Sequence, residues 1–222
     1  MQGFYFITDA GLSRAGNESD VKHALAAGVR VVQYRDKQAR PERLREEAAQ
    51  LRRLCRGALF LVNDRVDLAL AVGADGVHLG QEDLHCEAAR KRLGRQKIIG
   101  VTVHNVGEAL EAERLGADYL GVSPIFPTRT KADAGEPGGL RLLRDLRSRV
   151  SLPLIAIGGI NLDNAREVIR AGADGLCAIS AVVVSPDVRA EIAKFQELFE
   201  NETRNRGCQP EALEPRRGGG SG

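Results

Sequence analysis

The tripeptide Gly-Ala-Asp occurs three times, each time directly ahead of an apolar run: "GADGVHLG" from Gly73, "GADYLGVS" from Gly116 and "GADGLCAIS" from Gly172. "AGVRVVQ" from Ala27 is a looser copy. Glycine just past a helix supplies the left-handed residue that ends it, and a short turn then feeds the next strand. The repeat therefore marks helix-to-strand joins, and a chain with four of them is built from repeated βα units.

The apolar runs keep the same beat. Val-, Ile- and Leu-rich stretches predict strands at Phe4–Thr8, Val29–Gln33, Leu59–Asn63, Gly76–Leu79, Ile98–Thr102, Tyr119–Ser123, Leu154–Ile157 and Gly175–Ile179. Such runs suit parallel strands buried on both faces. Between them lie amphipathic stretches such as Arg43–Arg56, "RLREEAAQLRRLCR", which predict surface helices. Eight βα units in about 200 residues predict an α/β fold, a single (β/α)8 TIM barrel over residues 1–200. The competing doubly wound sheet calls for a Gly-rich fingerprint after its first strand, and "TDAGLSRAG" lacks G-x-G-x-x-G. Asn201–Gly222 breaks the beat, with Gly, Pro, Arg and Glu and almost no apolar residues, and predicts a flexible C-terminal tail.

Composition narrows the partners. The chain is 43% hydrophobic but only 4% aromatic, without Trp, so its core is built from Ala, Val, Leu and Ile. A net charge of +2 creates no field for a polyanion, which argues against nucleic acid. No apolar run approaches the roughly 20 residues of a membrane span. Cys55, Cys86, Cys177 and Cys208 lie in no metal or redox spacing and read as reduced thiols, with Cys177 in the core. With a strand-like start in place of a leader, these features predict a soluble, cytoplasmic protein.

In such barrels the active site lies at the C-terminal ends of the strands. "QYRDK" at 33–37 ends strand two, and alternation puts Gln33, Arg35 and Lys37 on one face with Tyr34 and Asp36 on the other. Asp64 and Asp83 follow strands three and four, neighbours about 5 Å apart in a parallel ladder. Two carboxylates there suit a shared Mg²⁺, which takes one or two carboxylates plus phosphate oxygens and water. Gly158-Gly159 after strand seven and Ile179-Ser180 after strand eight predict a phosphate cradle of backbone N–H groups. Each feature has a plainer reading alone: a polar strand end, a loop or capping carboxylate, an ordinary turn. Their collection on one rim favours function. His23, His78, His85 and His104 show no zinc spacing and read as structural, and no Ser or Cys sits in a nucleophile elbow.

These residues resemble the thiamine-phosphate synthases. The matching motifs are "QYRDK", "NDRVDLALAVGADGVHLGQED" at 63–83, "GVTVHN" at 100–105, "GADYLGVSPIFPTRTK" at 116–131 and "IAIGGI" at 155–160, in order across roughly residues 4–199. The resemblance implies a transferase that joins hydroxymethylpyrimidine diphosphate to hydroxyethylthiazole phosphate, releasing pyrophosphate with Mg²⁺ required. It implies that Gln33, Arg35, Lys37 and Asn63 hold the pyrimidine diphosphate, that Asp64 and Asp83 bind the metal, and that Lys131 reaches the pyrophosphate. Arg35, Lys37 and Lys131 would be catalytic. Thr128 and Thr130 would contact the thiazole phosphate, and Gly159, Ile179 and Ser180 would receive its phosphate group. Thr102 stands where the family usually has Ser; it keeps the hydroxyl donor and restricts χ1. The implied partners are these two small molecules, without nucleic acid or membrane, and a homo-oligomer is allowed.

Three rivals fit less well. The thiazole tautomerase branch relies on a histidine at or beside Pro124, and Ser123-Pro124-Ile125 has none. A barrel that senses a phosphorylated ligand without catalysis has no use for a metal-diphosphate site. A phosphate-sugar isomerase calls for an acid/base pair that the rim motifs do not display.

Overall fold

The computed structural model describes residues 1–128, 130 and 135–207. The Gly-Ala-Asp joins both stop a helix and tie down strand ends. Gly73, Gly116 and Gly172 take φ of +64°, +88° and +114°, a region open to a residue without Cβ. The aspartates extend the sheet ladder: Asp75 N–H donates to the Phe60 carbonyl at 2.8 Å, and the Asp75 carbonyl accepts the Ile98 N–H at 2.9 Å. The Asp75 carboxylate also accepts the Phe60 N–H at 2.8 Å. Asp118 does the same for Ile99 at 2.7 Å and Asp174 for Leu154 at 2.8 Å. Each carboxylate meets an arginine, Arg52, Arg90 or Arg147, at 3.0, 2.6 and 2.9 Å respectively. The looser copy has Gly28 at φ +85° and no Asp; there the Arg30 carbonyl alone accepts the Leu59 N–H at 2.8 Å.

Eight strands run β1 Gly3–Ile7, β2 Val31–Tyr34, β3 Leu59–Asn63, β4 Gly76–Leu79, β5 Ile98–Val103, β6 Tyr119–Val122, β7 Leu154–Ile157 and β8 Gly175–Cys177. They pair in parallel in chain order and close into a barrel, with Gly3 opposite Gly175 and Phe4 opposite Leu176. The helices are α1 Asn17–Ala26, α2 Pro41–Leu54, α3 Val66–Ala71, α4 Cys86–Leu93, α5 Val106–Arg114, α6 Gly139–Arg147, α7 Leu162–Arg170, α8 Ile179–Val183 and α9 Val188–Gly207. This is the (β/α)8 TIM barrel that the repeat predicts. Among the described residues, no helix is long and apolar enough to cross a membrane. Cys55, Cys86 and Cys177 are buried free thiols.

Most strand ends fall within one residue of expectation, and three strand or tail boundaries differ by two residues or more. β2 starts at Val31, because the Val29 N–H still bonds the Ala24 carbonyl at 3.1 Å and belongs to the close of α1. β8 stops at Cys177, and Ile179 and Ser180 open α8; a short apolar run suits either state until packing decides. The expected tail start at Asn201 is also corrected, since α9 continues to Gly207. Glu202 is buried there and pairs with Arg170 at 2.8 Å and Arg166 at 3.5 Å of α7. Polar composition suggested a tail, and ion pairs with a neighbouring helix keep the segment helical. Residues 208–222 of the expected tail, with Cys208, lie outside the described residues.

Alternation along the strands makes two cores. Phe4, Phe6, Phe60, Val62, Leu120 and Leu154 pack outward with the helices. Tyr5, Ile7, Val31, Leu61, Tyr119, Ile155 and Cys177 fill the barrel. Asp20 of α1 is 1% exposed, and its carboxylate oxygens lie near Ser13 and His23 without a well-formed hydrogen bond.

Asp75→Ala leaves the buried Phe60 amide without its side-chain acceptor and is expected to cost about 1–3 kcal/mol in denaturant unfolding; Asp75→Asn, which keeps an acceptor, is expected to cost less. For Asp20, burial raises the carboxyl pKa in the folded state. The native state thus holds the proton more tightly than the unfolded chain, and stability falls as pH rises through the carboxylate range. Asp20→Asn is therefore expected to be the more stable protein near pH 7, by about 1 kcal/mol. Thermal melts across pH should show that gap closing toward about pH 4.

Candidate active site

A cavity of about 440 Å³ opens at the C-terminal ends of the strands, within the size range of small-molecule sites. Its wall brings together Gln33, Arg35, Lys37, Asn63, Asp64, Asp83 and Thr102 on one side and Thr128, Thr130, Gly159, Ile179 and Ser180 on the other. Lys131 lies outside the described residues. Every other residue singled out for the site thus reaches one cavity, from β2 round to β8.

Along "QYRDK" the faces alternate as expected. Gln33 is 1% exposed and its Nε2 donates to the Tyr5 hydroxyl at 2.8 Å inside the barrel. Tyr34 turns outward and donates to Glu47 of α2 at 2.8 Å. The Asp36 carboxylate accepts the Gln38 and Ala39 N–H groups at 2.8 and 3.0 Å, a local turn apart from the cavity wall. Arg35 is held at three points. Its backbone N–H donates to Thr8 Oγ1 at 2.8 Å, the Thr8 hydroxyl donates back to its carbonyl at 3.1 Å, and its Nη1 meets Asp9 Oδ2 at 2.7 Å. Asp9 in turn accepts the Gly11 and Leu12 N–H groups through Oδ1 at 3.1 and 3.2 Å. The sequence reading missed Asp9. An Asp two residues before Gly signals a local turn, which points to the loop after β1 and not to a partner at the end of β2.

The two carboxylates are built differently. Asp64 has φ +61°, the one non-glycine residue with positive φ among those described, and its N–H donates to the His78 carbonyl at 2.8 Å. Asp tolerates this left-handed conformation better than most residues, but it is uncommon and concentrates at functional sites. Asp83 Oδ2 accepts the Gly80 N–H at 2.6 Å, folding the loop after β4 back on itself. Among the described residues no group of three or more His, Cys, Asp or Glu is placed to hold a metal. Two carboxylates in a cavity with room for phosphate fit Mg²⁺, which completes its shell with substrate oxygens and water. They do not fit zinc, which wants three or four protein ligands.

On the opposite side, Gly158 and Gly159 have φ +101° and +63°. A Cβ on Gly159 would stand 2.6 Å from the Pro127 carbonyl oxygen, and one on Gly158 would stand 2.6 Å from Pro124 Cβ. Only glycine fits this turn. Asn161 caps α7 in a capping box with Asn164, whose Nδ2 donates to the Gly159 carbonyl at 2.9 Å and fixes the turn to the helix start. The Thr130 N–H donates to Thr128 Oγ1 at 3.2 Å.

Two histidines read as structural also reach the wall. His104 Nδ1 lies 2.9 Å from Glu108 Oε2, which accepts the His104 backbone N–H as well at 2.7 Å, so the pair closes the first turn of α5. His78 contacts the Thr102 hydroxyl at 2.8 Å.

Known proteins match this chain in sequence and fold. The thiamine monophosphate synthase family matches residues 4–182. The thiamine-phosphate synthase of Methanosarcina barkeri is 53% identical over 197 residues, covering 88% of this chain and 90% of that protein. That of Chloroflexus aurantiacus is 52% identical over 197 residues, covering 87% and 91%. The solved structure of a thiamine phosphate pyrophosphorylase from Pyrococcus furiosus shares 45% identity, with a TM-score of 0.83 over 90% of this chain and 96% of that one. The chain belongs to the thiamine monophosphate synthase family, transferases of thiamine biosynthesis.

Proposed function

We propose that the chain condenses 4-amino-2-methyl-5-hydroxymethylpyrimidine diphosphate with hydroxyethylthiazole phosphate, giving thiamine phosphate and pyrophosphate by a dissociative, Mg²⁺-assisted substitution. The observation that carries this reading is one cavity with two different polar ends, cations and carboxylates after β2 to β4 and backbone N–H groups of the turn after β7 and the start of α8. Such a cavity suits one diphosphate and one monophosphate substrate side by side.

In this reaction the C–O bond to the diphosphate breaks with its electron pair leaving on pyrophosphate. The electron-rich aminopyrimidine stabilises the cation, and the lone pair of the thiazole nitrogen forms the new C–N bond. That nitrogen carries no proton, so no general base or nucleophilic side chain is required. The protein's tasks are to stabilise charge growing on the leaving group and to align nitrogen with carbon. Arg35 and Lys37 serve the first, with Arg35 pre-oriented by Asp9, and Lys131 joins them by the family motif. A magnesium ion held by Asp64 and Asp83 would supply positive charge to the diphosphate oxygens. Gln33, Asn63 and Thr102 orient the pyrimidine diphosphate. Thr128, Thr130, the Gly158-Gly159 turn after β7 and the start of α8 at Ile179 and Ser180 seat the thiazole phosphate. The same reading assigns a cytoplasmic protein whose partners are these two small molecules.

Incubating the chain with both substrates and Mg²⁺ should yield thiamine phosphate and pyrophosphate in equal amounts, and chelation with EDTA should stop turnover. A folded chain that makes neither product sinks the proposal. Asp83→Asn keeps an oxygen to accept the Gly80 N–H while losing the charge. It should retain the wild-type melting temperature and lose roughly 100-fold or more in kcat. Full activity would remove Asp83 from the metal site.

A further inference from the structure

The inside of the barrel is unusually polar for a space normally filled by layers of branched aliphatic side chains. Four hydrogen bonds run through it without a break. Gln33 Nε2 donates to the Tyr5 hydroxyl at 2.8 Å, Tyr5 and Tyr119 share a hydroxyl contact at 2.7 Å, Tyr119 OH meets His78 Nδ1 at 2.8 Å, and His78 Nε2 meets Thr102 Oγ1 at 2.8 Å. Gln33 and Thr102 at the two ends line the cavity, as does His78, whereas Tyr5 and Tyr119 are buried and do not.

The strands are cut to hold this chain. A Cβ on Gly100 of β5 would lie 2.0 Å from Tyr119 Cζ, and one on Gly121 of β6 would lie 2.8 Å from His78 Cε1. Glycine within a strand weakens it and marks a close approach. Here the two glycines make the room in which the rings stack, with centroids 5.4 Å apart. Burial pushes both phenol pKa values up, so the hydroxyls stay protonated.

Donor counting sets the direction. A phenol has one proton to give. With Gln33 Nε2 donating, the Tyr5 hydroxyl donates on to Tyr119, Tyr119 donates to His78 Nδ1, and His78 carries its proton on Nε2 and donates to Thr102. The Thr102 proton is then directed into the cavity, and Gln33 faces the cavity with its carbonyl. With the Gln33 amide turned over, every bond reverses: His78 is protonated on Nδ1, and Thr102 becomes a donor to His78 and only an acceptor toward the cavity.

We propose that Tyr5, Tyr119 and His78 are positioning residues that couple Gln33 to Thr102, so that the site offers a carbonyl at one end and a hydroxyl proton at the other in a fixed combination. The carbonyl is matched to an exocyclic amine and the hydroxyl to a diphosphate oxygen. This inference rests on the synthase reading for its consequence and on the barrel interior for its existence. Thr102 suits the role, since its branched Cβ restricts the rotation that would swing the hydroxyl off His78.

The test is nitrogen NMR of the full chain labelled at histidine, with His78 assigned by loss of its signals in His78→Asn. The resting protein should show the Nε2–H tautomer; the Nδ1–H tautomer overturns the proposal without any variant. Tyr119→Phe removes a hydroxyl that does not reach the cavity. It should abolish the tautomer preference and lower kcat about tenfold, with KM for the thiazole phosphate within about twofold of wild type. An unchanged tautomer or an unchanged kcat in this variant overturns the coupling. Should the wild-type chain make no thiamine phosphate, the synthase reading fails separately, and the resting tautomer still decides the direction of the chain.

Discussion

The structure depends on how the barrel is tied at the N-terminal ends of its strands. Closing a parallel sheet removes its edges, but the first residues of each strand must still satisfy buried amides, and each failure costs about 1–3 kcal/mol. Asp75 and Asp174 meet this need with both carbonyl and carboxylate and Asp118 with its carboxylate, and an arginine braces each of them. The glycine two residues earlier lets the chain turn sharply enough to deliver the aspartate there. The repeated tripeptide is a structural clasp, placed at the end of the barrel away from the cavity.

With that rim secured by repetition, the opposite rim carries irregularity. Asp64 sits in a left-handed conformation, the Gly158-Gly159 turn excludes any side chain, and Asp83 closes a loop on its own backbone. Each is a local departure from what the chain would choose alone, held by a rigid neighbour such as β4 or the capped start of α7. The interior links the two sides of this rim, because the polar chain from Gln33 to Thr102 runs where aliphatic layers normally sit.

Much of this was legible in the residues. Period and composition located all eight strands, and the strand ends named the cavity wall. The alternation in "QYRDK" separated Gln33 and Arg35 from Tyr34, which packs on α2 as its face requires. The failures have physical causes. Asp9, in the loop after β1, meets Arg35 26 positions further along the chain, a distance that no local pattern encodes. The end of β8 and the continuation of α9 were misjudged because short apolar runs are ambiguous and polar helices look like tails until their ion-pair partners are in place.

The sequence by itself determined the barrel, since βα periodicity and the glycines at the Gly28, Gly73, Gly116 and Gly172 joins are local properties of the backbone. It also determined which rim would carry the cavity, because strand direction follows from the same pattern. Only the tertiary structure decided which neighbours each functional side chain has. Gln33 on Tyr5, Arg35 on Asp9 and His78 between Tyr119 and Thr102 are contacts between residues far apart in the chain. Closure of the barrel brings them within hydrogen-bond distance, and such contacts depend on register and side-chain volume, which local spacing does not specify.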